Sequence, residues 1–235
     1  MKSIVSLVAG AALGACLVSE PSAWAVLAFG MSGGPDGQAS SPARSPAQWV
    51  MAHLDVETTG LVAGHHEIVD IGIVYTTLEG DVLDRWHRRV MPRHPERTSP
   101  EAAQINGFDP QVWKKLGAIE PARVVDLLLA FERERFPGKH LVRVAYNSKF
   151  DAAFMDQLLR DHGSALDQPN QSYYWLDVPS MAWMMGYRSL EHGDLGQELG
   201  VAPKSRVPLE HTGLGCAEYN VRVYRALLAM RQKLL

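Results

Sequence analysis

From Val50 to Val56 every second residue is apolar, with Val50, Ala52, Leu54 and Val56 on one side and Met51, His53, Asp55 and Glu57 on the other. A period of two is that of a β-strand, whose side chains fall on opposite faces in turn. Asp55 and Glu57 therefore project from one face, and Thr58-Thr59-Gly60 ends the strand directly after them. Two more strand-like runs follow, Ile68 to Thr76 and Val82 to Val90, joined by the turn Glu79-Gly80-Asp81. The chain thus opens its folded part as an antiparallel meander.

Beyond the meander the period changes. Pro121 to Phe136 carries Val125, Leu128, Leu129 and Phe131 at helical spacing and is stopped by Pro137-Gly138. Leu141 to Ala145 reads as a short strand, Asn147 to His162 as a helix and Ser172 to Val178 as a further strand. Leu214, Ala217, Val221, Tyr224 and Leu228 form one stripe of a final amphipathic helix. A meander followed by alternating helix and strand predicts an α/β domain with a mixed sheet flanked by helices.

The first fifty residues lack such periodicity. Lys2, the apolar run Ile4 to Val18 and Ala23-Trp24-Ala25 fit the pattern of a signal peptide, and Leu13-Gly14-Ala15-Cys16 resembles a lipoprotein box with lipidation on Cys16. The other reading is an upstream start that belongs to no mature protein, since Met31 and Met51 offer later initiation. The first reading predicts export or lipid anchoring through residues 1–25, the second a cytoplasmic protein. The apolar run is too short for a stable membrane span, which needs about 20 residues. The expected organisation is a signal-like or disordered extension over 1–30, a Gly-, Ser- and Pro-rich flexible linker over 31–48 and a single domain over 49–235.

A net charge of −3 provides no basic field for coating nucleic acid by counterion release. An acidic site that recruits divalent cations can still attract phosphates locally. Cys16 and Cys216, the only two cysteines, form neither a disulfide framework nor a zinc cluster by spacing.

Alone, D-x-E fits a solvated strand face as well as a metal site. The longer strings say more. Leu54-Asp55-Val56-Glu57-Thr58-Thr59-Gly60-Leu61 followed by Glu67-Ile68-Val69-Asp70-Ile71-Gly72 closely resembles the first motif of the DEDDh exonucleases. Ser99 to Phe108, with Asn106-Gly107, resembles that family's segment after the third strand, and Ala145-Tyr146-Asn147-Ser148-Lys149-Phe150-Asp151 its second motif. Asn147 and Asp151 are four apart and share a helix face. Phe150 and Phe154 are expected in the core. His211-Thr212-Gly213-Leu214-Gly215-Cys216-Ala217 resembles the third motif, with His211 at the general-base position.

The resemblance implies a ribonuclease H-like fold with a five-stranded mixed sheet. It also implies metal-dependent hydrolysis of single-stranded nucleic acid from a free 3′ end, within a pathway and beside protein partners that the residues do not identify. Two Mg²⁺ or Mn²⁺ ions about 3.5 to 4 Å apart would activate water and help the leaving oxygen. Asp55 would bridge them, Glu57 and Asp151 would support them, and His211 would take the proton of water. Thr58, Thr59, Gly60 and Leu61, with Asn106, Gly107 and Asn147, would hold the terminal nucleotide. Cys216 stands where the family places a fourth metal-binding carboxylate, and a thiol is a poor ligand for a hard cation. Reduced activity is expected, with Cys216→Asp completing the site. The alternative is a binding module for nucleic-acid ends that has lost turnover.

Overall fold

The computed structural model describes residues 41–162 and 171–234. Both signal-like motifs and most of the linker lie outside these residues. Residues 41–48 form a turn and one 3-10 turn with mostly exposed side chains, tied down where Lys139 Nζ donates to the Ala47 carbonyl at 2.7 Å. Among the described residues no helix is long and apolar enough to cross a membrane.

The five strands are β1 (Trp49–Thr58), β2 (Ile68–Thr76), β3 (Val82–Arg89), β4 (His140–Ala145) and β5 (Gln171–Asp177), arranged in the order β3-β2-β1-β4-β5. β1 pairs antiparallel with β2 and parallel with β4, and β4 is parallel with β5. The predicted mixed sheet is thus formed, with β1 at its centre. The C-terminal ends of β1, β4 and β5 fall on one edge, where α/β sheets bind ligands.

Seven α-helices are described: α1 (Pro100–Asn106), α2 (Pro110–Lys115), α3 (Pro121–Arg135), α4 (Ser148–His162), α5 (Val178–Met184), α6 (His192–Glu198) and α7 (Gly213–Leu234). On one face, Val50, Ala52, Leu54 and Val56 of β1 pack with Val124, Val125 and Leu128 of α3 and with Phe154, Met155 and Leu158 of α4. Phe154 is buried, and Phe150 packs against the same cluster. On the other face Met51, Val142 and Val144 meet Val178 of α5, Leu195 of α6, and Tyr219, Val223 and Leu227 of α7.

The second face of β1 is therefore core as well, and His53 on it is fully buried. The stripe expected on α7 is real but too narrow. Cys216, Tyr219, Asn220, Val223 and Leu227 are buried beside Ala217 and Val221, because the helix lies across both β1 and β2. Glycine permits this close approach: a Cβ on Gly72 would fall 1.9 Å from the Leu214 nitrogen, and one on Gly213 would fall 2.5 Å from the Asp55 carbonyl. The start of α7 is thus pressed onto the backbone of β1 at Asp55 and of β2 at Gly72.

A buried polar cluster joins the layers on the opposite face. Arg143 Nη2 of β4 lies 2.7 Å from Glu132 Oε1 of α3, and the Tyr75 hydroxyl of β2 donates to the same oxygen at 2.8 Å. Arg143 is 2% and Glu132 is 3% exposed, so neither charge can be left unpaired cheaply.

Candidate active site

Asp55 and Glu57 leave β1 on the face covered by α7, at the sheet edge defined above. Asp151 comes from the first turn of α4, and its Oδ1 accepts the Val56 N–H at 3.0 Å, which sets it against the backbone between the other two carboxylates. His211 arrives from the loop before α7, with Nε2 3.2 Å from Glu57 Oε1. Its Nδ1 is 3.1 Å from the Ser205 carbonyl, an acceptor only, so Nδ1 carries a proton and Nε2 is the working nitrogen. His211 thus meets Glu57 directly, and Asp55, Glu57 and Asp151 lie near enough to one another for each charge to act on its neighbours.

Crowding three carboxylates has an electrostatic consequence. Burial, and then the charge of Glu57, push the pKa of Asp55 up to about 8, against the pull of Lys204 and His211. Burial and the charge of Asp55 likewise raise Asp151 well above the carboxylate range, although the Val56 N–H opposes this. The Glu57 hydrogen bond raises His211 above the ordinary histidine value. An excess of negative charge at one point is what a divalent cation neutralises.

Cys216 is free and buried, and its sulfur ends in this cluster. Its Sγ lies 3.9 Å from Glu57 Oε1 and 3.7 Å from His211 Nε2. Burial and the neighbouring Asp55 raise its pKa, which keeps it a neutral thiol. Glu57, His211 and Cys216 offer three ligand atoms within 4.8 Å of one another, but a protonated sulfur is no metal ligand.

Two residues to which the sequence assigned no role complete the arrangement. Asp70 is 1% exposed; its Oδ1 accepts the Gly213 N–H at 2.9 Å, and its Oδ2 lies 2.7 Å from His87 Nε2. It fixes the start of α7, and through it Cys216 and the loop of His211. Asp70 belongs to the string that carried the resemblance, and its place two residues before the tightly packed Gly72 was the available signal. Lys204 comes from an irregular segment with no pattern around it, and its Nζ donates to Cys216 Sγ at 2.9 Å. Burial opposes its charge, but Asp55, Cys216 and Glu57 together hold the ammonium above the ordinary lysine value.

The expected nucleotide-holding residues divide into two groups. Leu61 is 82% exposed at the tip of the loop after β1, and Asn147, in the left-handed region at φ 60°, is exposed at the end of β4. The others build the loop. The Thr58 hydroxyl donates to the Gly60 carbonyl at 2.6 Å, and the Thr59 hydroxyl accepts from the Glu67 N–H. Asn106 is a correction to the expectation: it is 2% exposed, donates to the Thr58 carbonyl at 3.0 Å and accepts from the Phe108 N–H, so its amide is spent on backbone. Gly107 caps α1 at φ 74° against Leu209.

Along the same sheet edge runs an open groove of about 880 Å³, walled by Tyr146, Asn147, Asp177, Trp183, Met184 and His192. Trp183 and Met184 are exposed there, so the groove presents apolar surface beside an acidic centre.

A family model described as exonuclease (RNase T) matches residues 53–224, which span β1 to α7. No curated protein matches the sequence. Among solved structures, exonuclease I of Methylocaldum szegediense superposes with TM-score 0.64 at 19% identity, covering 79% of this chain and 41% of that one. The zinc-bound complex of E. coli exonuclease I with single-stranded DNA gives 0.62 at 16%, covering 79% and 41%. The same enzyme with a dT13 oligonucleotide gives 0.62 at 15%, covering 79% and 42%. The likeness is one of fold, and the chain spans less than half the length of these enzymes. Exonucleases of this kind use divalent metal ions.

Proposed function

We propose, from the premise that this chain belongs to the exonuclease family whose model spans residues 53–224, that it hydrolyses single-stranded nucleic acid from the 3′ end with divalent metal held by Asp55, Glu57 and Asp151. The convergence of these carboxylates with His211 carries the reading. Their oxygens suit a hard cation such as Mg²⁺ or Mn²⁺, and the raised pKa values of Asp55 and Asp151 express a charge that no described side chain fully offsets. Bound there, such metal supplies Lewis-acid stabilisation of the phosphoryl oxygens and lowers the pKa of water.

The chain's own residues do the rest. His211 Nε2 stands at the edge of the carboxylate cluster, where it can take the proton of an attacking water, and Glu57 Oε1 at 3.2 Å stabilises the imidazolium that forms. The bond from Nδ1 to the Ser205 carbonyl keeps the ring in the tautomer that this requires. Leu61 offers an apolar surface to the terminal base. The groove with Tyr146 and Trp183 offers stacking surface to the bases behind it, which favours a single strand over a duplex. Single-stranded DNA, bound by the E. coli exonuclease I of similar fold, is the first substrate to test.

The thiol and ammonium of Cys216 and Lys204 favour a second reading, an end-binding module without turnover. A labelled single strand and its duplex, each incubated with Mg²⁺, with Mn²⁺ and with chelator, separate the two. The enzyme shortens the single strand only with metal, and Asp55→Ala does not. Protection of the strand without shortening in either metal would establish the module instead.

A further inference from the structure

Three carboxylates, a neutral thiol and an ammonium make an unusual donor set. We propose that this site holds a single divalent ion, and that the Lys204 ammonium, seated 2.9 Å from Cys216 Sγ, stands in for the second. The inference rests on the metal-dependent reading above and concerns its stoichiometry.

Charge decides it. With His211 neutral, as its role as a base requires, Asp55, Glu57 and Asp151 carry three negative charges when ionised, and one divalent ion with one ammonium balances them. A carboxylate at position 216, as in the motif that His211 to Ala217 resembles, would make four, which two divalent ions balance. Replacing that carboxylate by a thiol removes one negative charge, and Lys204 adds one positive charge. The combined change equals the charge of one divalent ion. A free cysteine is mostly neutral and a lysine fully charged near pH 7, so both changes hold at their ordinary pKa values.

Geometry agrees with the arithmetic. Lys204 reaches the cluster on its Cys216 side, where its Nζ donates to Sγ at 2.9 Å. Asp151 is held on the α4 side by the Val56 N–H, away from α7. A cation held by carboxylate oxygens on the α4 side would meet only hard ligands. One that enters beside Cys216 meets a soft, protonated donor and a fixed positive charge, both adverse to a hard ion.

This changes what Cys216→Asp should do. A carboxylate introduced beside the ammonium pairs with Lys204 instead of completing a metal site. Only the double variant Cys216→Asp/Lys204→Met presents four carboxylates with no ammonium beside them. The experiment counts Mn²⁺ bound to the full chain by calorimetry and by electron paramagnetic resonance, up to millimolar free metal, with circular dichroism verifying that each variant is folded. Wild type and Cys216→Asp should each bind one ion. The double variant should bind two, and Lys204→Met one, tighter than wild type by on the order of tenfold once a like charge is removed. Two ions in wild type, or a second ion in Cys216→Asp alone, would overturn the inference while leaving a metal-dependent nuclease intact. No Mn²⁺ in any of the four proteins would sink the metal-dependent reading itself, and the inference with it.

Discussion

At the scale of single residues, burial sets which groups can carry charge. His53 is fully buried on β1, with Nε2 3.2 Å from the Thr76 hydroxyl and its ring 5.3 Å from that of Tyr224. Burial, assisted by Arg225, lowers its pKa from 6.5 to about 3. The unfolded chain protonates this histidine below pH 6.5 and the folded chain does not, so its stabilising contribution is complete above pH 6.5 and is lost as pH falls toward 3. Asp55 and Asp151 act in the opposite direction in the same range, because their raised values favour the protonated folded state. The clean quantity is therefore the difference in unfolding free energy between wild type and His53→Gln. Below pH 6.5 it should shift against wild type by about 1.4 kcal/mol per pH unit; a pH-independent difference would mean that His53 is charged in the fold. Asp55 and Glu57 were legible for a physical reason, since the strand period alone puts them on one face; the helical spacing expected to join Asn147 to Asp151 does not hold, because Asn147 stands before α4 at φ 60°. Lys204 was not legible, because it lies in an irregular segment where no period links it to Asp55, far earlier in the chain.

At the scale of elements, α3 and β4 are joined by charge as well as by apolar contact. Arg143→Met leaves Glu132 buried without its guanidinium and should cost about 3 to 5 kcal/mol in denaturant unfolding. Arg143→Met/Glu132→Leu removes both charges and should recover most of that loss. If the double variant is no more stable than the single one, the pair is not what holds α3 to the sheet. The long elements α3, α4 and α7 could be read from spacing because each has enough turns to repeat an apolar face. The short helices α1, α2, α5 and α6 have six or seven residues and escape a period test. Their signs are local: Ser99, Asp109 and Asp177 accept from backbone N–H groups at the N-caps, and proline stands in the first turn of α1, α2 and α5. β1 was legible only in part. Alternation identified it as a strand, but the buried second face depends on α7, which returns from the far end of the sequence to cover it.

At the scale of the whole molecule, the sheet edge is the organising feature. The parallel strands β1, β4 and β5 end together, α4 starts there with Asp151, and α7 returns there with Cys216 behind the His211 loop. The acidic cluster and the apolar groove beside it follow from that one topology, and they propose a direction of travel for a single strand, with its 3′ end at the carboxylates and its body along Tyr146 and Trp183. The most direct test uses one single-stranded oligonucleotide, labelled at the 3′ end in one sample and at the 5′ end in another, incubated with the full chain and Mn²⁺. The account predicts immediate release of labelled mononucleotide from the 3′-labelled strand, a ladder of progressively shorter products from the 5′-labelled strand, and neither with Asp151→Asn. Mononucleotide released first from the 5′ label, or internal cuts from both, would contradict it.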